Sequence, residues 1–127
     1  MKVLLDTHIF IWYSISPEHL SAKALSMIEN ADTLFISIAS IWEMQIKVSL
    51  KKLDLGQPLP LVISDECRNN DFRILPITPD HIYRLADLPH HHGDPFDRIL
   101  VTQAQHEGLT LVTTDGNIPK YDVETAW

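Results

Sequence analysis

The chain has 127 residues, a length that predicts a single domain spanning residues 1–127. Apolar residues make up 45% and charged residues 21% of it, which excludes wholesale disorder. Seventeen acidic residues against ten Lys and Arg give a net charge of −7, so the protein as a whole does not attract nucleic acid. A single cysteine, Cys67, and the absence of an apolar run of about 20 residues lead us to expect a cytoplasmic protein without a membrane span.

Strand-like and helix-like segments alternate in the first half of the chain. Lys2–Leu5 is an apolar, strand-like run. The pair Ser16-Pro17 predicts a helix that continues to about Asn30, because serine is a favoured N-cap and proline suits the first helical position. Thr33–Ser37 is rich in β-forming residues and predicts a second strand. A longer helix is predicted over roughly Ile38–Leu50.

The second half of the chain continues the alternation. Gly and Pro residues at 56–60 predict a connection before the next helix. The remaining predicted elements are a helix at 61–68, a strand at 72–76, a helix from Thr78 to about Leu88, a loop at 89–93, a helix from Asp94-Pro95 to Gly108, a strand at 109–113 and a short fifth strand near Val123. This order predicts an α/β fold, with a parallel sheet of four or five strands sandwiched by helices. Ligands of such sheets bind beyond the carboxyl ends of the strands.

Two acidic residues follow predicted strands directly. Asp6 comes after Lys2–Leu5, and Asp115 comes just after the strand at 109–113. Aspartate is also common in ordinary turns after strands, so either residue alone is weak evidence for a site.

Glu43 lies on an otherwise apolar row of the predicted helix at 38–50. The row, at helical spacing, is Ala39, Glu43, Ile46, Leu50 and Leu53. A lone carboxylate in an apolar environment costs several kcal/mol unless it is paired or bound to a metal. The alternative is a partly exposed glutamate paired with Lys47 one turn later.

Asp94 and Asp97 begin the helix that follows the loop at 89–93. Asp97 precedes Leu100, Val101 and Ala104 on a row that we expect to face the core. Capping explains Asp94 well, but it explains Asp97 less well, because a first-turn acid need not face inward.

Converging carboxylates need compensating cations. Two of them about 4 Å apart repel by about 4 kcal/mol at an effective dielectric constant near 20. Mg²⁺ or Mn²⁺ are the natural partners, because oxygen ligands suit them and a single cysteine does not provide a thiolate site. Two such ions about 3.5–4 Å apart are suited to in-line displacement at a phosphodiester.

Four short motifs together resemble the PIN-domain family, and in particular its VapC-like toxin ribonucleases. They are Leu4-Leu5-Asp6-Thr7-His8, Ser40-Ile41-Trp42-Glu43, Asp94-Pro95-Phe96-Asp97-Arg98-Ile99-Leu100 and Val112-Thr113-Thr114-Asp115. The resemblance covers essentially the whole chain, and it implies a single PIN domain. It also implies cleavage of RNA by a metal-dependent endoribonuclease, a homodimer, and inhibition by a cognate VapB-like antitoxin.

The resemblance also implies roles for individual residues. It assigns binding of Mg²⁺ or Mn²⁺ to Asp6, Glu43, Asp97 and Asp115, with Asp94 in support. The hydroxyls of Thr7 and Thr113 match family positions that brace the acids.

Basic residues near the acids are candidates for contact with the substrate. Arg98 follows Asp97 and is a candidate phosphate contact, although an ion pair is the favoured explanation. Lys47, with Lys51 and Lys52, forms the densest basic cluster and is a candidate for guiding RNA, with a solvated helix end as the alternative. The run His90-His91-His92 is expected to be a solvated loop, with contact to substrate or antitoxin as the alternative.

Other classes of protein fit less well. A haloacid-dehalogenase-type phosphotransfer domain needs Asp-x-Asp after the first strand, whereas this chain has Asp6-Thr7-His8, and the arrangement of a receiver domain is absent. A non-catalytic PIN-like module that binds RNA or protein remains an alternative, and so does a free-standing PIN nuclease without an antitoxin.

Overall fold

The structure is a computed structural model that describes residues 1–127. Five strands form its sheet: β1 (Lys2–Leu5), β2 (Thr33–Ser37), β3 (Phe72–Leu75), β4 (Thr110–Val112) and β5 (Thr125–Ala126). Six α-helices accompany them: α1 (Thr7–Ile15), α2 (Ala22–Glu29), α3 (Ile38–Ser49), α4 (Leu59–Asn69), α5 (Pro79–Tyr83) and α6 (Pro95–Glu107). Short 3₁₀ turns cover Pro17–His19, Arg84–Asp87 and Ile118–Lys120. No helix is long and apolar enough to cross a membrane.

The sheet is entirely parallel, with strand order β3-β2-β1-β4-β5. Alternate side chains of β1 therefore enter two different apolar clusters. Val3 and Leu5 pack in a cluster with residues of α1, α2 and α4, whereas Leu4 packs in a second cluster with residues of α6. The predicted α/β sandwich is confirmed, and β1 and β4 lie side by side at its centre.

Helix α1 was not predicted. Its sequence, THIFIWYSI, is apolar on nearly every side and rich in β-branched and aromatic residues, so it shows no helical period. The Asp6 carboxylate accepts from the backbone N–H of His8 and caps the helix at its start. Burial of Ile9 and Phe10 then fixes the helix against the sheet.

Three predicted helix boundaries were wrong. Ser16-Pro17 begins a 3₁₀ turn, and the α-helix starts after Ser21, whose side chain accepts from the N–H of Ala24. Helix α4 begins at Leu59 rather than Leu61, because Pro60 fits within its first turn. The helix predicted from Thr78 to Leu88 is α for five residues and then 3₁₀.

The end of α6 is as predicted. Gly108 has φ 68° and ψ 44°, a left-handed conformation that glycine adopts without steric cost. The chain then turns directly into β4, which places the other end of α6, at Asp94, near the carboxyl edge of the sheet.

Candidate active site

Asp6 and Asp115 lie at the carboxyl ends of the two central strands. Thr113, the residue after β4, links them: its hydroxyl donates to Asp6 Oδ2 at 2.5 Å and accepts from the N–H of Asp115 at 3.0 Å. Asp115 Oδ1 also accepts from the N–H groups of Asn117 and Ile118, at 2.7 and 3.1 Å. Both carboxylates are thus oriented by fixed donors.

Asp6 is the more buried of the two acids, with 6% of its surface exposed. Burial raises the pKa of Asp6, and the negative charge of Glu43 adds to the shift, while Thr113 and His8 oppose it. The pKa of Asp115 is lowered overall: burial alone would raise it, but the bond from His92 and the two backbone N–H groups outweigh that effect. The structure therefore holds Asp115 ionised and leaves Asp6 short of compensating charge.

Glu43 points from α3 toward the same edge of the sheet. Its side chain is 14% exposed, and Lys47 Nζ lies 3.0 Å from Oε2, so the expected pair with Lys47 is present. The other oxygen, Oε1, is buried and has no hydrogen-bond partner. A buried carboxylate oxygen without a donor is unfavourable unless a ligand satisfies it.

The apolar row that was expected around Glu43 is only partly buried. Ala39 is buried, but Ile46 and Leu50 are 37% and 58% exposed. Met44 lies in the core instead. The face of α3 that contacts the core is thus rotated from the predicted row, and Glu43 lies at its border.

Helix α6 brings Asp94 and Asp97 to the cluster. Asp94 caps the helix, its Oδ1 accepting from the N–H of Phe96 at 2.8 Å. Burial raises the pKa of Asp97 to about 7, and the charges of Asp6, Asp94 and Glu43 contribute to this shift. These couplings show that carboxylates from β1, α3 and α6 share one local electrostatic environment.

His92 completes the cluster, and sequence reasoning missed it as a site residue. Its Nε2 lies 2.8 Å from Asp115 Oδ2 and 3.1 Å from Asp97 Oδ2. Burial lowers the pKa of His92, but the bond to Asp115 and the charges of Asp97, Asp115 and Asp94 raise it overall. The sequence did offer one signal for His92, which is that it lies two residues before Asp94.

Three residues with predicted site roles make different contacts. The Thr7 hydroxyl donates to Ser40 Oγ at 2.8 Å, which joins α1 to α3 and braces no acid. Arg98 is 9% exposed and donates to the backbone oxygens of Leu88 and Pro89, so its guanidinium lies beneath the loop rather than on a surface open to phosphate. Lys47 is half-exposed and paired with Glu43.

The donor set at this edge of the sheet fits a hard divalent cation. Its ligand atoms are carboxylate oxygens, which Mg²⁺ and Mn²⁺ prefer. Glu43 Oε1 has no donor, and the pKa of Asp97 is raised by burial first and by the neighbouring acids second, so a cation here would stabilise the ionised carboxylates. One potential ligand atom each of His92, Asp97 and Asp115 lies within 4.8 Å of the others, and the charges of Asp6 and Glu43 act on Asp97, so these four acids could hold such an ion.

A second group, His81, His106 and Glu107, also brings three potential ligand atoms together. His81 Nδ1 accepts from the N–H of Thr78 at 3.0 Å, so the hydrogen of the neutral ring lies on Nε2. Nε2 faces Glu107 Oε1 at 3.3 Å and donates to it. With no free lone pair on His81, this group is a hydrogen-bonded pair between α5 and α6 rather than a metal site.

A parallel α/β sheet with acids grouped beyond the carboxyl ends of its strands is an arrangement that suits a divalent cation. The PIN domain model matches residues 3–124, and the chain therefore belongs to the PIN domain family. The resemblance predicted from the motifs is confirmed.

The chain is similar to Ribonuclease VapC22 of Mycobacterium tuberculosis, with 32% identity over 114 residues, which cover 89% of this chain and 86% of that protein. Its fold matches a crystal structure of VapBC2 from Rickettsia felis bound to a DNA fragment from their promoter (TM-score 0.73, 18% identity, 99% of this chain and 98% of that chain). It also matches FitAcB from Neisseria gonorrhoeae (TM-score 0.65, 19% identity, 98% and 96% covered).

Proposed function

We propose that residues 1–127 form one PIN domain that acts as a metal-dependent endoribonuclease and is the toxin of a toxin–antitoxin pair. The observation that carries this proposal is the group of carboxylates from β1, α3, α6 and the end of β4, with Glu43 Oε1 buried and unpaired. The name of the similar protein, a ribonuclease, supports RNA as the substrate. We expect the protein to act in the cytoplasm, where such RNA is found.

In this proposal Asp6, Glu43, Asp97 and Asp115 hold the cations, Mg²⁺ or Mn²⁺. The bound ions would lower the pKa of the attacking water and stabilise the leaving oxygen of the phosphodiester. Thr113 fixes the orientation of Asp6 through the 2.5 Å bond. Asp94 holds the start of α6 in place and adds negative charge beside Asp97.

Lys47 is proposed to contact RNA only after it exchanges partners. Its ammonium group is bound to Glu43 Oε2 and its side chain is 42% exposed, so a phosphate could reach it from solvent. Arg98 is proposed to support the loop at 89–93 and not to contact the substrate, because its donors are already used there.

The proposed antitoxin site is an apolar groove between α3 and α4. It has a volume of about 720 Å³, and the residues that line it include Ile38, Ile41, Trp42, Leu59, Ile63 and Ile74. Trp42 is 61% exposed and packs against Phe96, with ring centroids 5.1 Å apart, so the groove borders the helix that carries Asp97. An antitoxin segment with an apolar face would fit this groove. A basic end on the same segment would complement a chain of net charge −7. The VapBC2 and FitAcB structures support a partner of the antitoxin type.

A second apolar surface, across α5 and the start of α6, is proposed to join two copies of the chain. The residues that line it include Ile77, Ile82, Pro95, Phe96 and Ile99, and it shares Trp42 with the groove. Because Pro95 follows Asp94 directly, this dimer would bring two acid clusters close together.

The substitutions Ile38→Glu, in the groove, and Ile82→Glu, on this surface, test the two surfaces separately. We expect the first to weaken co-purification with a co-expressed VapB-like antitoxin, and the second to give monomers in light scattering.

The alternative is a PIN-like module that binds RNA or protein without cleaving it. Incubation of the protein with a mixed cellular RNA pool and Mg²⁺ or Mn²⁺ separates the two functions. The proposal predicts discrete fragments that disappear with EDTA and with Asp6→Asn. Intact RNA in the presence of folded, metal-loaded protein would contradict catalysis, and retention of that RNA by the protein would favour the binding module. An Asp87→Asn protein, altered at an exposed acid away from the cluster, controls for loss of one negative charge.

A further inference from the structure

Hydrogen bonds with two buried side chains fix the backbone of the loop before α6. The phenol oxygen of Tyr121 accepts from the backbone N–H groups of His91 and His92, at 3.0 and 2.9 Å. Arg98 donates to the oxygen of Pro89 at 2.9 Å and to that of Leu88 at 3.2 Å. Because Tyr121 and Arg98 are both buried, the path of the loop is fixed by the core.

The imidazole of His92 is fixed as well. Its Nδ1 accepts from the N–H of Asp94 at 3.0 Å, so Nε2 carries the hydrogen of the neutral ring. Nε2 donates to Asp115 Oδ2 at 2.8 Å, and Asp97 Oδ2 lies 3.1 Å from the same nitrogen. His92 therefore joins a carboxylate at the end of β4 to a carboxylate on α6.

We propose that His92 is a positioning residue that holds Asp97 and Asp115 in the orientation required to bind a divalent cation, and that Tyr121 presents it through the loop. This inference rests on the proposed function, since it assumes a cation at the acid cluster. Carboxylates that bind metals are commonly oriented by donors of this kind, and loss of such a donor weakens affinity by roughly tenfold to hundredfold. The other oxygen of Asp97 and the remaining lone pairs of the Asp97 and Asp115 carboxylates stay available to bind the cation.

Two other roles for His92 fit the geometry less well. A ligand would need a free ring nitrogen, but Nδ1 already accepts from Asp94 and Nε2 carries the hydrogen. A competitor that leaves when the ion binds would have to break hydrogen bonds to Asp94 and Asp115 and the ionic contact with Asp97, from a backbone fixed by Tyr121. Because His92 has this many contacts, we expect it to stay in place when the cation binds.

Isothermal titration with Mn²⁺ alone, on the full chain without RNA, tests the inference. We expect His92→Ala to weaken binding by roughly tenfold to hundredfold. We expect His92→Gln to recover part of the affinity, because its amide can donate to the same oxygens. His90→Ala is the matched control: His90 lies in the same loop, is exposed and contacts none of the acids. The electron paramagnetic resonance spectrum of bound Mn²⁺ should change with His92→Ala and not with His90→Ala.

Tyr121→Phe gives a second test that leaves every carboxylate and His92 in the chain. Loss of the phenol oxygen removes the acceptor of two backbone N–H groups of the loop and of the Arg98 guanidinium, and we expect Mn²⁺ binding several-fold weaker than in the wild type. Circular dichroism of each variant verifies that it is folded.

Unchanged affinity in folded His92→Ala and Tyr121→Phe would overturn the inference, and tighter binding in His92→Ala would show competition with the ion. Failure of the proposed function looks different. It would show as no Mn²⁺ binding by the wild type, or as equal binding by the wild type and Asp6→Asn, and either result overturns the positioning role too.

Discussion

Asp97→Asn should stabilise the protein when divalent ions are removed by EDTA. Asp97 has its pKa raised from 3.8 to about 7, so the folded protein retains a proton that the unfolded chain has lost between these values. Stability from this group is therefore full below about pH 4 and is lost as the pH rises toward 7. At about 1.4 kcal/mol per pH unit, the shift sets a ceiling of about 4 kcal/mol.

The realised gain should be smaller than this ceiling. The Asp97 side chain is 19% exposed, and water and nearby charges screen it, so we expect about 1–2 kcal/mol at pH 8. For a domain of this size that is a rise in Tm of roughly 3–8 °C, measured by circular dichroism in EDTA. At pH 4.5 the difference in Tm between the variant and the wild type should be much smaller, because Asp97 is then protonated in the folded protein and most of the linked stability is retained.

The pattern across pH and metal separates this explanation from a general stabilising effect. Added Mg²⁺ should raise the Tm of the wild type more than that of Asp97→Asn. The difference in Tm between the two proteins should therefore become smaller or change sign. Asp87→Asn, at an exposed position, should show no difference at either pH. A stabilisation by Asp97→Asn that is equal at pH 4.5 and pH 8, or a loss of stability at pH 8, would refute the reasoning.

Three further changes have distinct expected results. Glu43→Gln should reduce RNA cleavage at least tenfold in a gel assay while leaving the fold intact, since it removes one proposed ligand charge; equal cleavage would contradict that role. Arg98→Lys should lower the free energy of unfolding by about 2 kcal/mol in urea, because a buried group loses bonds to Leu88 and Pro89, whereas the exposed Arg68→Lys should change it by less than about 0.5 kcal/mol. Phe10→Ala should cost about 3–5 kcal/mol in the same titration, because Phe10 is fully buried; a loss below about 1 kcal/mol would refute its place in the core.

Elements with a strong local signal could be predicted from the sequence. The bounds of β1 and β2 match those expected, and Gly108 ends α6 because glycine tolerates the left-handed conformation there. Helix α1 could not be predicted in the same way. Its residues are apolar all round, and only packing against the sheet decides between strand and helix.

The acids at the strand ends could be located because chain order and sheet topology determine where Asp6 and Asp115 lie. Glu43 was selected because its row on α3 was expected to be buried, but that row is partly exposed. Glu43 lies at the border of the helix face that contacts the core. His92 could not be placed, because its position depends on Tyr121, 29 residues later in the chain. Contacts of that range come from the tertiary fold and leave no local pattern.

The central claim is that one divalent-metal site is formed by the carboxylates of Asp6, Glu43, Asp97 and Asp115. Crystals soaked in Mn²⁺ and measured at a wavelength where manganese scatters anomalously test it most directly. The account predicts an anomalous peak within about 2.0–2.4 Å of carboxylate oxygens from at least two of these residues, and none in Asp6→Asn crystals. A peak beside His81, His106 and Glu107 alone, or no peak in wild-type crystals at saturating Mn²⁺, would contradict it.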